Sequence, residues 1–135
     1  MTVQLSVAVR NARLDVIETT IGTGAILKIR TGSPPANCAA ADSGSVLVSY
    51  TLASDWASAA SSGSKSLSST PIAGTASGSG TAGHYRIYAS DGTTCGEQGT
   101  VTLTGGGGDM TIDNTTIVSG QAVNITSKTL TDGNA

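Results

Sequence analysis

From Gly24 onward the chain is a succession of short β-branched runs, cut by turn residues roughly every ten positions. "AILKIRTG", "SVLVSYTLA", "HYRIYA", "EQGTVTLT", "DMTIDN" and "QAVNITSKTL" are each too short for a helix, and several alternate apolar with polar residues. This pattern predicts a mainly β fold, an antiparallel β-sandwich or jelly-roll-like barrel. Strand alternation places Leu27 and Ile29 opposite Ile26, Lys28 and Arg30, and groups Val46, Val48, Tyr50 and Leu52 on one face. Val101 and Leu103 are expected inward, as are Met110, Ile112, Val123 and Ile125. In "HYRIYA", Tyr85, Ile87 and Ala89 suit the core. His84, Arg86 and Tyr88 fall on the other face, expected to be exposed or subunit-facing. Ser90-Asp91-Gly92 supplies a hairpin turn.

One helix precedes these strands. Leu5, Val9, Ala12 and Val16 share a face over Leu5 to Ile21, with Ile17 beside them and most polar residues elsewhere. Gly22 and Gly24 stop it. The chain therefore divides into an N-terminal helical segment, 1–23, and a β-sandwich domain, 24–135. The helix either docks on a partner or packs on its own sheet. "SPPANCAAADSG" is a loop, because its prolines forbid regular pairing. Ser54-Asp55 is expected to cap a helical turn carrying Trp56, with a weak strand around Leu67. Gly105 to Gly108 is expected to be a flexible break.

Charge narrows the function. Only 12% of residues are charged, about half the usual share. That economy suits a surface covered by neighbouring subunits. Seven basic residues and a net charge of −2 do not make a nucleic-acid footprint. Arg10/Arg13 and Lys28/Arg30 are expected at solvated edges or in subunit salt bridges. No run of about 18 apolar residues marks a membrane span. The opening "MTVQLSVAVRNARLDVIETT" lacks the basic start of a signal peptide.

Reactive chemistry is sparse. With one histidine and two distant cysteines, no zinc ligand set is apparent and no cofactor is implied. A Cys95–His84 dyad lacks an acid at a recognised spacing to orient it, so an enzyme is not expected. Asp109, Asp113 and Asp132 follow neither an EF-hand nor a repeat calcium pattern, and turn roles suit them better. Trp56, Tyr50, Tyr85 and Tyr88 are the aromatics from which a sugar-stacking platform could be built, but Tyr50 is in phase with buried positions. Cys38 and Cys95 are a candidate disulfide. A reducing cytosol leaves them as thiols and an oxidising setting bridges them, so both states stay open.

The segments "VRNARLDVIETTIG", "PANCAAADSGSVL", "GTAGHYRIYASDGTTCGEQGTV" and "GGGGDMTIDNTTIVSGQAVNITSKTLTDGNA" together resemble a family of small proteins in the structural-gene modules of tailed bacteriophages. The resemblance spans essentially the whole chain and brings no catalytic residues. It implies a virion role, beside the head genes. With the low charge and β architecture, the expected function is a capsid decoration or cement protein. Such a protein is made in the host bacterial cytoplasm and binds the major capsid protein on the capsid surface, most simply as a homotrimer. The expected contact residues are Leu5, Val9, Arg10, Arg13, His84, Arg86 and Tyr88. A tail, neck or fibre β-module is the alternative, and a carbohydrate-binding module a more distant one.

Overall fold

The computed structural model of the chain describes residues 3–133. The outermost residues of the two expected segments, 1–2 and 134–135, lie outside the described residues. Helix α1 (Val7–Ile21) comes first. It is followed by β1 (Ile26–Thr31), β2 (Val46–Thr51), β3 (Ser64–Ser66), β4 (Ile72–Thr75), β5 (Gly80–Tyr88), β6 (Cys95–Leu103), β7 (Met110–Ile112), β8 (Thr116–Ile117) and β9 (Ala122–Thr131). The strands form one curled, antiparallel-rich sheet, a half-barrel, in the order β2-β1-β5-β6-β7-β9-β3; β4 pairs with β9 and β8 with β5.

Local chemistry explains these boundaries. Ser6 caps α1 by accepting the Val9 N–H at 3.3 Å, so the helix begins two residues later than its apolar spacing suggested. Gly22, at φ 89°, ends it and donates its N–H to the Glu18 carbonyl. β1, β5 and β6 align their apolar residues inward, with Leu27 opposite Ile87 and Ile29 opposite Tyr85. Met110, Ile112, Val123 and Ile125 are fully buried beside them, as alternation predicted. Each such aliphatic side chain contributes roughly 1.5–3 kcal/mol on leaving water. The curl brings β2 towards β4, where the Tyr50 hydroxyl donates to the Val123 carbonyl at 2.9 Å and the ring lies close over Gly74.

Three expectations change. Leu103 is 48% exposed, because β6 runs past the edge of the core there. Trp56 lies in an irregular segment rather than a helical turn, buried, with its indole N–H on the Gly22 carbonyl at 3.3 Å. The glycine run is a built loop rather than a loose break. β6 and β7 pair in parallel, Val101 with Met110, so the chain must double back within a few residues. Parallel neighbours ordinarily need a much longer crossover. Gly105 and Gly107 take φ 85° and 84°, and Gly106 and Gly108 wrap so closely on Thr102 that a Cβ would approach its side chain to 2.7–2.8 Å. Asp109 then accepts from both the backbone and the hydroxyl of Thr100, at 2.9 Å each.

Candidate functional site

The helix is turned opposite to ordinary expectation for an amphipathic helix. Arg10, Asn11, Asp15 and Glu18 face the protein body, and Val9, Ala12 and Val16 look outward with Arg13 beside them. The irregular stretch before β3 leaves backbone N–H groups without strand partners, and these must be satisfied. The helix supplies the acceptors. Asn11 accepts the Gly63 N–H at 2.9 Å, Asp15 that of Ala60 at 2.9 Å, and Glu18 that of Ala57 at 3.1 Å. Lys65, only 4% exposed, bridges Asp15 (2.9 Å) and Glu18 (3.0 Å). The Lys65 ammonium and the Ala60 N–H hold the Asp15 carboxyl below its ordinary value. Burial pushes Glu18 up, but Lys65 and the Ala57 N–H outweigh it and hold it low as well. Arg10 donates to the Asp132 carbonyl at 3.0 Å, and Arg13 pairs with the Asp132 carboxylate at 3.2 Å. Both residues, expected at a docking surface, tie the helix to the end of β9. Leu14 and Ile21 complete the inward face. Ile21 seats on Gly96, where a Cβ would meet it at 2.4 Å.

The outward face carries Val9 and Val16, at 46% and 58% exposure, with Ala12, Thr19, Thr20 and the exposed Arg13; Val7, in the first turn, lies in line with Asn11 and Leu14 instead. Of the expected contact residues on this segment, Val9 lies on this face and Leu5 is half-buried. Beside Val16 a cleft of about 360 Å³ opens between the helix and the start of β6, lined by Ile17, Ile21, Ala89, Cys95 and Gly96 among others.

His84, Arg86 and Tyr88 correct the expected outer face. All three are buried, at 0%, 2% and 0% exposure. The loop between β1 and β2, residues 32–45, folds back over them. Its Asp42 receives Arg86 Nη1 at 2.7 Å, Arg30 Nη2 at 2.8 Å and the Tyr88 hydroxyl at 2.7 Å. Arg86 also donates to the carbonyls of Asn37 (2.9 Å) and Ala40 (3.1 Å) and to Gln98. Gln98 donates in turn to the Pro35 carbonyl at 2.7 Å. Burial pushes the Asp42 carboxyl up, but the Tyr88 and Arg86 hydrogen bonds and the charge of Arg30 hold it below the usual range. Around Arg30, Arg86, Tyr88 and Gln98 the sheet is thus covered on both faces, by an aliphatic core on one and a polar layer under a loop on the other.

The reactive residues do not converge. His84 Nδ1 lies 2.8 Å from the Gly32 carbonyl, and its Nε2 is buried without a hydrogen-bond partner. His84 sits opposite Thr100 on β6, whereas Cys95 sits opposite Tyr88, four residues further along β5. Asp109, Asp113 and Asp132 hold Thr100, Asn124 and Arg13 respectively. Among the described residues, no three His, Cys, Asp or Glu side chains gather as a metal would require. All four aromatic side chains, Tyr50, Trp56, Tyr85 and Tyr88, are buried, so none forms a sugar platform. Tyr85 instead donates to Glu97 at 2.6 Å inside the half-barrel, where Lys128 pairs with the same carboxylate oxygen at 2.7 Å.

Comparison of the chain with family models, with curated proteins and with solved structures finds no match.

Proposed function

We propose that this chain is a structural protein of a tailed-bacteriophage virion, a decoration protein that docks on the shell of major capsid protein and reinforces it. The observation that carries the reading is the outward face of α1. Val9 and Val16 stay exposed although Arg10, Asp15 and Glu18 of the same helix are engaged on the side facing the protein body. A helix oriented this way gains nothing from its valines unless a partner covers them. The adjoining cleft offers a place for an apolar side chain of that partner. The sequence resemblance to phage head-module proteins supplies the kind of partner, and the loop-covered strands β1, β5 and β6 supply a firm base for the helix. Repetition over a symmetric shell, most simply as homotrimers, turns a modest contact into firm attachment.

The test is reconstitution on expanded heads lacking decoration. Wild-type protein should bind at the repeated lattice positions and raise the temperature at which heads rupture. Val9→Glu and Val16→Glu should fold normally and lose binding. A folded wild-type protein that ignores expanded heads, or attaches only to tails, overturns the proposal.

A further inference from the structure

We propose that Cys38 and Cys95 are a redox-closed staple: oxidation joins their sulfurs and locks the 32–45 loop over the Arg30–Asp42–Arg86 layer. Several anchors bring the two residues together. Cys38 lies in a turn closed by the Ala40 N–H on the Asn37 carbonyl (3.2 Å) and side chain (3.0 Å). The Asn37 and Ala40 carbonyls, on either side of Cys38, are both held by Nη2 of Arg86 on β5. Pro35 is held by Gln98 on β6. Cys95 opens β6 opposite Tyr88, whose hydroxyl reaches Asp42 in the same loop. These anchors make the two half-buried, unbridged thiols neighbours, and the Cys95 thiol donates to the Glu97 carbonyl at 3.5 Å.

The chemistry is thiol–disulfide exchange with a small disulfide such as oxidised glutathione. One cysteine thiolate attacks a glutathione sulfur and expels one glutathione thiolate. The other cysteine then attacks the protein sulfur of that mixed disulfide and expels the second. The two cysteine sulfurs give up two electrons between them, oxidised glutathione accepts them, and the two thiol protons pass to the released glutathiones. Burial first, and then the neighbouring Cys38, raise the Cys95 thiol above its ordinary range, so exchange is slow at neutral pH and quickens as pH rises.

The experiment equilibrates the full chain with oxidised glutathione and counts residual thiols by alkylation and intact mass. The expected product is a monomer with no free thiol, no retained glutathione and a Cys38–Cys95 link in the peptide map. Backbone hydrogen exchange in the 32–45 loop should slow several-fold in that product. Cys38→Ser and Cys95→Ser, each checked for folding by circular dichroism, should form no internal bridge. The proposal is overturned by two thiols persisting for as long as the unfolded chain takes to oxidise. It is equally overturned by a stable glutathione adduct, by disulfide-linked dimers, or by unchanged loop exchange after bridging.

Discussion

Asp42→Asn is the sharpest probe of the loop-covered layer. Asp42 is the one counter-charge shared by Arg30 and Arg86, whose side chains are 9% and 2% exposed. Asparagine keeps a carbonyl oxygen but removes the charge and points an NH₂ donor at groups that are themselves donors. Arg86 would retain the Asn37, Ala40 and Gln98 oxygens, and Arg30 those of Ser43 and Gly44. Neither cation would retain a compensating negative charge. Removing one partner of a buried pair costs about 3–5 kcal/mol. The Asp42 side chain is 37% exposed, so water screens part of the interaction and the low end applies, about 3 kcal/mol. For a domain of this size that is a fall in Tm of roughly 10 °C.

Thermal and urea denaturation followed by circular dichroism would measure the loss. The pH dependence adds an independent check. The folded-state pKa of Asp42 is depressed, so its contribution is complete above the unfolded value of about 4 and is lost as pH falls through the folded value. Wild type and Asp42→Asn should therefore differ most near neutral pH and converge in acid. A loss below about 1 kcal/mol, or one abolished by high salt as for an exposed pair, would refute a loop-sealed ion cluster.

Gly96→Ala should cost about 1–3 kcal/mol, because the added methyl strikes Ile21 where α1 seats on β6; equilibrium urea unfolding measures it. Tyr85→Phe removes the 2.6 Å bond to Glu97 while Lys128 stays paired, and should cost about 2 kcal/mol in the same assay. Tyr50, Tyr85 and Tyr88 are all raised, in each case first by burial, with neighbouring carboxylates adding to it. Raised folded values mean the unfolded chain ionises first, so stability falls as pH climbs past about 10. Phenolate absorbance should accordingly appear together with alkaline unfolding; a smooth titration of the folded protein near pH 10 would contradict the burial.

The strands were legible because burial on an alternating lattice leaves a period-two record. Met110, Ile112, Val123, Ile125, Tyr85 and Ile87 all sit where that period puts them. The helix was legible from its ending at Gly22 and from the shared face of Val9, Ala12 and Val16. Whether that face turns inward or outward was not legible, because its orientation depends on distant partners. Asp15 and Glu18 meet Lys65 and the N–H groups of Ala57 and Ala60, in a segment with no periodicity. The polar layer was hidden for the same reason, since an irregular loop writes no period into the sequence. One signal was present. Asp42 is the only acidic residue between Glu18 and Asp55, and strand alternation sets Arg30 in β1 and Arg86 in β5 on outward phases. A chain this sparing of charge has few ways to compensate two arginines on strands.

That economy bears on how the molecule would meet a partner. All seven basic side chains are engaged within the chain. Arg30, Arg86, Lys65 and Lys128 form ion pairs while buried. Arg10 and Arg13 hold Asp132, and Lys28 donates to the Gly92 carbonyl at 3.2 Å. Positive charge here is engaged in contacts within the chain, so it does not form a patch that would draw in phosphate or anionic lipid. The outward helix face has Arg13 as its one charged neighbour and otherwise offers valine, alanine and threonine. Docking through that face would rest on apolar area and shape, with little long-range steering. Its affinity should therefore change little as ionic strength rises, since few counterions are released. A steep loss of binding with salt would place the contact on the exposed carboxylates instead, and would separate the helix face from the function proposed for it.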